Sequence, residues 1–175
     1  MYLSAILKRN ELTMKIADYQ QQLTDIEEQL SDLQSYAGCI ADGGVTIGEL
    51  MNTPTSMYNR YITFMNTSQA YSQMTAGNQL QQLIGSSQYQ QLMMQQSGGN
   101  PQIELWYRNA AYQKFFEQAQ SSFVRYEKNL LHQKEKTLMQ RKNALQGTIA
   151  SYQEQQKRYE QEIQNGRQEL FSAKA

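Results

Sequence analysis

Residues 12–33, LTMKIADYQQQLTDIEEQLSDL, decide the fold. Leu12, Ile16, Tyr19, Leu23, Ile26, Leu30 and Leu33 follow one another at alternating steps of four and three. A step averaging about 3.5 residues keeps every one of these side chains on one stripe of a helix, which is the seam of a coiled coil. Arg9 and Ala5 extend the seam weakly towards the N-terminus, and Gly38 is expected to end the helix as a left-handed cap.

A second seam lies near the other end. Leu131, Leu138, Leu145, Ile149, Tyr152, Tyr159, Ile163 and Leu170 keep the same phase, interrupted by Glu135, Lys142, Gln156 and Gly166. One residue out of phase, Phe116, Ala119, Phe123, Tyr126 and Leu130 form an earlier stripe. The start of this long helix is marked by Asn100-Pro101, an N-cap residue followed by proline in the first turn, and no proline follows.

If the two seams pair antiparallel, contacting positions have a constant index sum. A sum of 168 places Leu30 by Leu138, Leu23 by Leu145, Tyr19 by Ile149 and Ile16 by Tyr152. Acidic Asp25, Glu27, Glu28 and Asp32 then face Lys134, Lys136, Arg141 and Lys142, while Lys8, Arg9 and Lys15 face Glu154, Glu160 and Glu162. A sum of 175, one heptad away, gives more apolar pairs with a poorer charge match.

The middle reads as shorter pieces. Asp42-Gly43-Gly44 signals a turn, Thr46 and Glu49 form a candidate capping box, and Thr53-Pro54 is expected to open a helix over about 54–76. Gly77-Asn78 is expected to interrupt it before a short helix at Leu80–Ile84, and a further helix carries Tyr89, Leu92 and Met93. The whole is therefore expected to be all-α: a long antiparallel coiled-coil hairpin with a small helical head. Residues 1–37 and 131–175 form the coiled-coil stalk, and residues 38–130 the head.

Composition agrees with narrow seams over a broad core. Hydrophobic residues make up 39% of 175 and mean hydropathy is −0.74, too polar for a wide interior but sufficient for two apolar positions in seven. Glutamine, a good uncharged helix former, takes 28 positions. The net charge is zero, which argues against nucleic acid as a partner. Cys39 is alone, so no disulfide can form within the chain.

No constellation for catalysis, a metal or a cofactor can be assembled. His132 is the sole histidine, which excludes a two-histidine metal site. Gly43 to Gly48 has phosphate-loop spacing, but Glu49-Leu50 follow where a lysine and a hydroxyl are required. The same stretch lacks the carboxylates of a calcium loop. The chain is read as a non-enzyme that needs no cofactor and acts through protein partners or self-association.

The expected role is structural or scaffolding, in a larger bacterial assembly. Alternatives are a subunit exported without a Sec signal, for an appendage or secretion system, or the cytoplasmic chaperone of one. A third is a membrane-surface binder using the Met- and Tyr-rich middle. Trp106, Met93 and Met94 are the candidate partner surface. The N-terminus is not a Sec signal peptide and no apolar run reaches transmembrane length. The cytoplasm is the default compartment, with signal-independent export as the alternative.

Overall fold

The computed structural model describes residues 2–41 and 47–172. Among these, 94% are helical and none lies in a strand, so every packing decision is a choice between helix faces. The helices are α1 (Tyr2–Cys39), α2 (Ile47–Asn52), α3 (Tyr58–Ile84), α4 (Ser87–Ser97) and α5 (Pro101–Ser172), with a 3-10 turn at Thr55–Met57. α1 and α5 pack against each other as a hairpin. The chain forms two compact units, residues 1–31 with 134–175, and residues 32–133.

The first unit is a two-helix antiparallel coil. Ile26, Leu30 and Leu145 are buried together, with Tyr19 and Leu138 packed on them. Four contacts fix the alignment. Lys8 stands over the Tyr159 ring, 5.7 Å from its centre. Gln156 donates to the Thr13 hydroxyl at 2.9 Å, the Tyr19 and Tyr152 rings lie 5.8 Å apart, and Lys142 pairs with Glu27 at 2.8 Å. The paired residue numbers sum to 167, 169, 171 and 169. The alignment is therefore that of the 168 register; with a sum of 175, Tyr19 would instead face Gln156.

Polar seam residues contribute to this choice. Gln156 and Lys142 interrupt the apolar row of α5, and each meets a polar group of α1. A slip by one heptad to a sum of 176 would bring Gln20 to Gln156 and Gln34 to Lys142, so that Lys142 loses its carboxylate partner; polar seam positions specify register in this way. The charge complementarity read from the sequence is realised at Glu27–Lys142. Three other charged groups turn to their own helices: Lys15 to Glu11 at 2.6 Å, Asp25 to Gln21 at 3.0 Å, Glu154 to Arg158 at 3.7 Å.

The second unit packs α3 against the first half of α5 and the end of α1. Tyr61 and Phe64 of α3 are buried, followed at four-residue steps by Ser68, Ser72 and Ala76, all fully enclosed. Small side chains on one stripe let the helix axes approach closely. Phe123 fills the adjoining space, its ring 5.6 Å from Phe64 and 5.5 Å from Tyr71.

Several local expectations are corrected. Gly77 does not interrupt α3, which runs on to Ile84; one helical glycine costs only about 1 kcal/mol, and buried Ala76 beside it holds the turn in place. Pro54 is the cap of the 3-10 turn at Thr55–Met57 and not its first helical residue: its ψ is 140°, its carbonyl accepts from the Met57 amide at 2.8 Å, and the Thr53 hydroxyl donates back to the Glu49 carbonyl at 2.9 Å instead of capping forward. Gly38 lies within α1 and is not left-handed. Among the described residues, the glycines with positive φ are Gly98 and Gly99, which close α4. Asn100 caps α5 as expected, its side-chain oxygen accepting from the Gln102 amide at 3.0 Å. The turn at Asp42-Gly43-Gly44 and the capping residue Thr46 lie outside the described residues.

Candidate interaction surfaces

The seam residues occupy interior positions within their units. Leu12, Ile16, Ile26, Leu30, Leu33, Leu145, Ile149 and Ile163 are buried. Tyr19, Leu23, Leu138, Tyr152 and Tyr159 are half-buried. Leu33 belongs to the second unit. There, the inward stripe of α5 departs from the expected one: Val124, Glu127 and Leu131 are buried, whereas Tyr126 is 58% exposed. The phase shift expected after Leu130 has already taken place at Phe123-Val124. Reading from Val124 onward, the steps continue in phase to Leu131, Leu138 and Leu145.

That earlier shift buries a carboxylate, and two partners make it tolerable. Arg60 of α3 donates from Nε to Glu127 Oε1 at 2.6 Å, and the Tyr36 hydroxyl of α1 donates to the same oxygen at 3.2 Å. The Arg60 guanidinium also lies over the Tyr36 ring, 5.9 Å from its centre, and Tyr36 meets Tyr61 edge to face. Burial opposes the charge on Arg60, but hydrogen bonding and attraction to Glu127 prevail and hold its pKa above the usual value. Burial first, then the neighbouring carboxylate, pushes the Tyr36 hydroxyl well above its ordinary range. The cluster thus joins three helices through one charge. Sequence reasoning passed over it because Glu127 stands next to Tyr126, the more attractive apolar choice for the seam.

Chemistry beyond packing is sparse. Among the described residues, no three or more His, Cys, Asp or Glu side chains gather as a metal site. The second unit carries a polar groove of about 510 Å³ between Tyr71 and Gln79 of α3 and Ser122 and Arg125 of α5. Its lining is mostly amide and hydroxyl, unlike the largely apolar pockets that hold small molecules. Among the described residues no helix is long and apolar enough to cross a membrane.

The exposed apolar side chains form the more informative pattern. At the start of α5, Trp106 is 65% exposed, with Leu105 also open to solvent. Trp106 rests edge-on against Tyr107 at 5.0 Å, and the Tyr107 hydroxyl donates to Gln96 of α4 at 2.6 Å. This bond between α4 and α5 helps present the indole on a fixed support. Of the two methionines proposed with it, Met94 is 79% exposed but Met93 is buried. Met93 is corrected from surface to interior, because it shares the inward side of α4 with Tyr89 four residues earlier.

The second exposed set was not anticipated. Leu3, Leu7 and Met14 of α1 are 74%, 70% and 64% exposed. At about 100° per residue they fall within about 40° of one another, nearly opposite Leu12, Ile16, Ile26 and Leu30. α1 therefore has two apolar stripes, and α5 covers one of them. The signal was present in the sequence, since positions 3, 7, 10, 14 and 17 repeat the same 4-3 spacing as Leu, Leu, Asn, Met and Ala. The stronger seam on the other face masked it.

No protein-family model, curated protein or solved structure matches this chain.

Proposed function

We propose that this protein is a non-enzymatic structural or scaffolding component that acts through helical protein–protein contacts within a larger assembly. The observation that carries the reading is the two-faced character of α1. One stripe packs on α5, and the opposite stripe, Leu3, Leu7 and Met14, stands in solvent. Lone exposed apolar residues are ordinary, but a periodic apolar face on a helix is the form in which helices are recognised by other helices. Trp106 adds a rigid aromatic on the second unit, of the residue type enriched where interfaces concentrate their binding energy.

Site-specific photo-crosslinking in living cells tests this. A photoreactive residue at position 7 or 106 is expected to give discrete protein adducts, and one at the exposed polar Gln161 is not. Absence of adducts at both apolar positions, against efficient incorporation, would sink the scaffolding reading.

A further inference from the structure

We propose that the outer stripe of α1 pairs with the same stripe of a second copy of this chain, antiparallel and centred on Asn10. This rests on the scaffolding reading and names its partner. The stripe runs Leu3, Leu7, Asn10, Met14, Ala17, with Leu3, Leu7 and Met14 strongly exposed and Asn10 and Ala17 also in solvent. Turned end for end about Asn10, it overlays itself to within one residue. Leu3 meets Ala17 of the second copy, Leu7 meets Met14, and Asn10 meets Asn10. Large opposes small at the ends, and the polar residue opposes its own kind at the two-fold axis, as an isologous contact requires. Asn10 Oδ1 accepts from the Arg9 guanidinium of its own chain at 2.9 Å, and the Asn10 NH2 group remains to donate to the Asn10 oxygen of the second copy across that axis. A single seam asparagine of this kind fixes register and orientation.

Charge selects the orientation. Beyond Ala17 the outer face of α1 turns acidic, with Asp18, Asp25 and Glu28 all exposed. A parallel pairing would set Glu28 against Glu28 and align the other acids along the same groove. The antiparallel pairing confines the overlap to residues 3–17 and leaves Asp25 and Glu28 outside it. The flank formed by Ile6, Thr13 and Gln20 is uncharged at those positions, with Arg9 beside it folded onto Asn10 Oδ1 at 2.9 Å, and Glu11 on the other flank is already held by Lys15 at 2.6 Å. About four turns of paired helix bury on the order of 1,000 Å², the lower bound for a specific interface. The dimer is accordingly expected to dissociate in the micromolar range.

The full chain carrying Cys39→Ser supplies the test. Sedimentation equilibrium at tens of micromolar should give a dimer mass for the parent, and a monomer for Leu7→Glu with Met14→Glu at unchanged helical circular dichroism and Tm. Under mild oxidation, Asn10→Cys alone should form disulfide dimers. Leu3→Cys should link to an Ala17→Cys chain but not to itself, since a disulfide needs Cα atoms within about 7 Å. A parent that stays monomeric at 100 micromolar (roughly the top of the expected range), a dimer indifferent to the two glutamates, or self-linking of Leu3→Cys would each overturn the pairing. A monomeric parent whose position 7 still crosslinks a different protein overturns self-pairing and leaves the scaffolding reading intact. A monomeric parent that crosslinks no protein from position 7 or 106 and floats with anionic vesicles would assign the stripe to a lipid surface and overturn both.

Discussion

The two units solve the same problem, joining long polar helices, by opposite means. Residues 1–31 and 134–175 use a row of aliphatic and tyrosine layers, with polar pins at Gln156–Thr13 and Lys142–Glu27 that remain in reach of solvent. Residues 32–133 enclose a charge: Glu127 with Arg60 and Tyr36, beside a row of small residues on α3. In the first unit, each polar contact contributes little energy and much alignment. In the second, one polar contact is shared by three helices and becomes costly to disturb. The difference shows that burial, not the number of ion pairs, sets what a charge does to a fold.

The largest effect is expected from Glu127→Ala. Removing one partner of a buried ion pair leaves the other uncompensated, and a loss of about 3–5 kcal/mol is expected from urea unfolding. Arg60→Met combined with Glu127→Leu should recover part of that loss, because an apolar pair of similar volume replaces the charges while the Tyr36 hydroxyl loses its acceptor. If the double variant is as unstable as the single one, the cluster contributes through shape instead of charge.

Ile26→Ala ranks next and probes the first unit. It removes a buried side chain from the cluster with Leu30 and Leu145, for about 2–3 kcal/mol, the low end for core truncations because a two-helix seam can partly collapse. Leu23→Ala, at a half-buried position, should cost less. Register is read directly by cysteine pairs in the Cys39→Ser background. Leu23→Cys with Leu145→Cys is expected to close within one chain, and Leu23→Cys with Tyr152→Cys is not; the reverse outcome would shift the coil by one heptad.

A smaller effect belongs to Tyr36→Phe. Deleting the hydroxyl should cost about 1 kcal/mol at neutral pH. The Tyr36 pKa is raised on folding from an ordinary value of 10.0, so its contribution is fully present below pH 10 and lost as pH climbs above it. The parent should therefore lose stability on going above pH 10 more steeply than Tyr36→Phe, measured as Tm against pH. Parallel profiles would show that the hydroxyl ionises as freely in the folded protein as in the unfolded chain.

Smallest is the Glu27–Lys142 bridge, half-exposed on the carboxylate side. A double-mutant cycle should return at most about 1 kcal/mol, shrinking with added salt. A coupling energy well above that would put the first unit's polar contacts in the same class as the second's.

Helix α1 and its inner seam were legible from residues 12–33 because a 4-3 spacing is a local property that needs no partner to be read. The start of α5 was legible for the same reason, since Asn100 and Pro101 act on the backbone beside them. Antiparallel pairing followed from the seams and the charges together. What the chain order left open was anything that one heptad of slip, or one residue of phase, leaves locally unchanged. Between sums of 168 and 175 the apolar pattern is nearly the same, and the polar partners of Gln156 and Lys142 separate them. Between Tyr126 and Glu127 local hydrophobicity favours the tyrosine, and only the convergence of Arg60 and Tyr36 from two other helices reverses the preference. Likewise, Met93 and Met94 are indistinguishable by composition, and the packing of α4 puts one inside and one outside. A sequence names the residues that share a face; the tertiary structure decides which faces are covered, because that depends on groups far away along the chain.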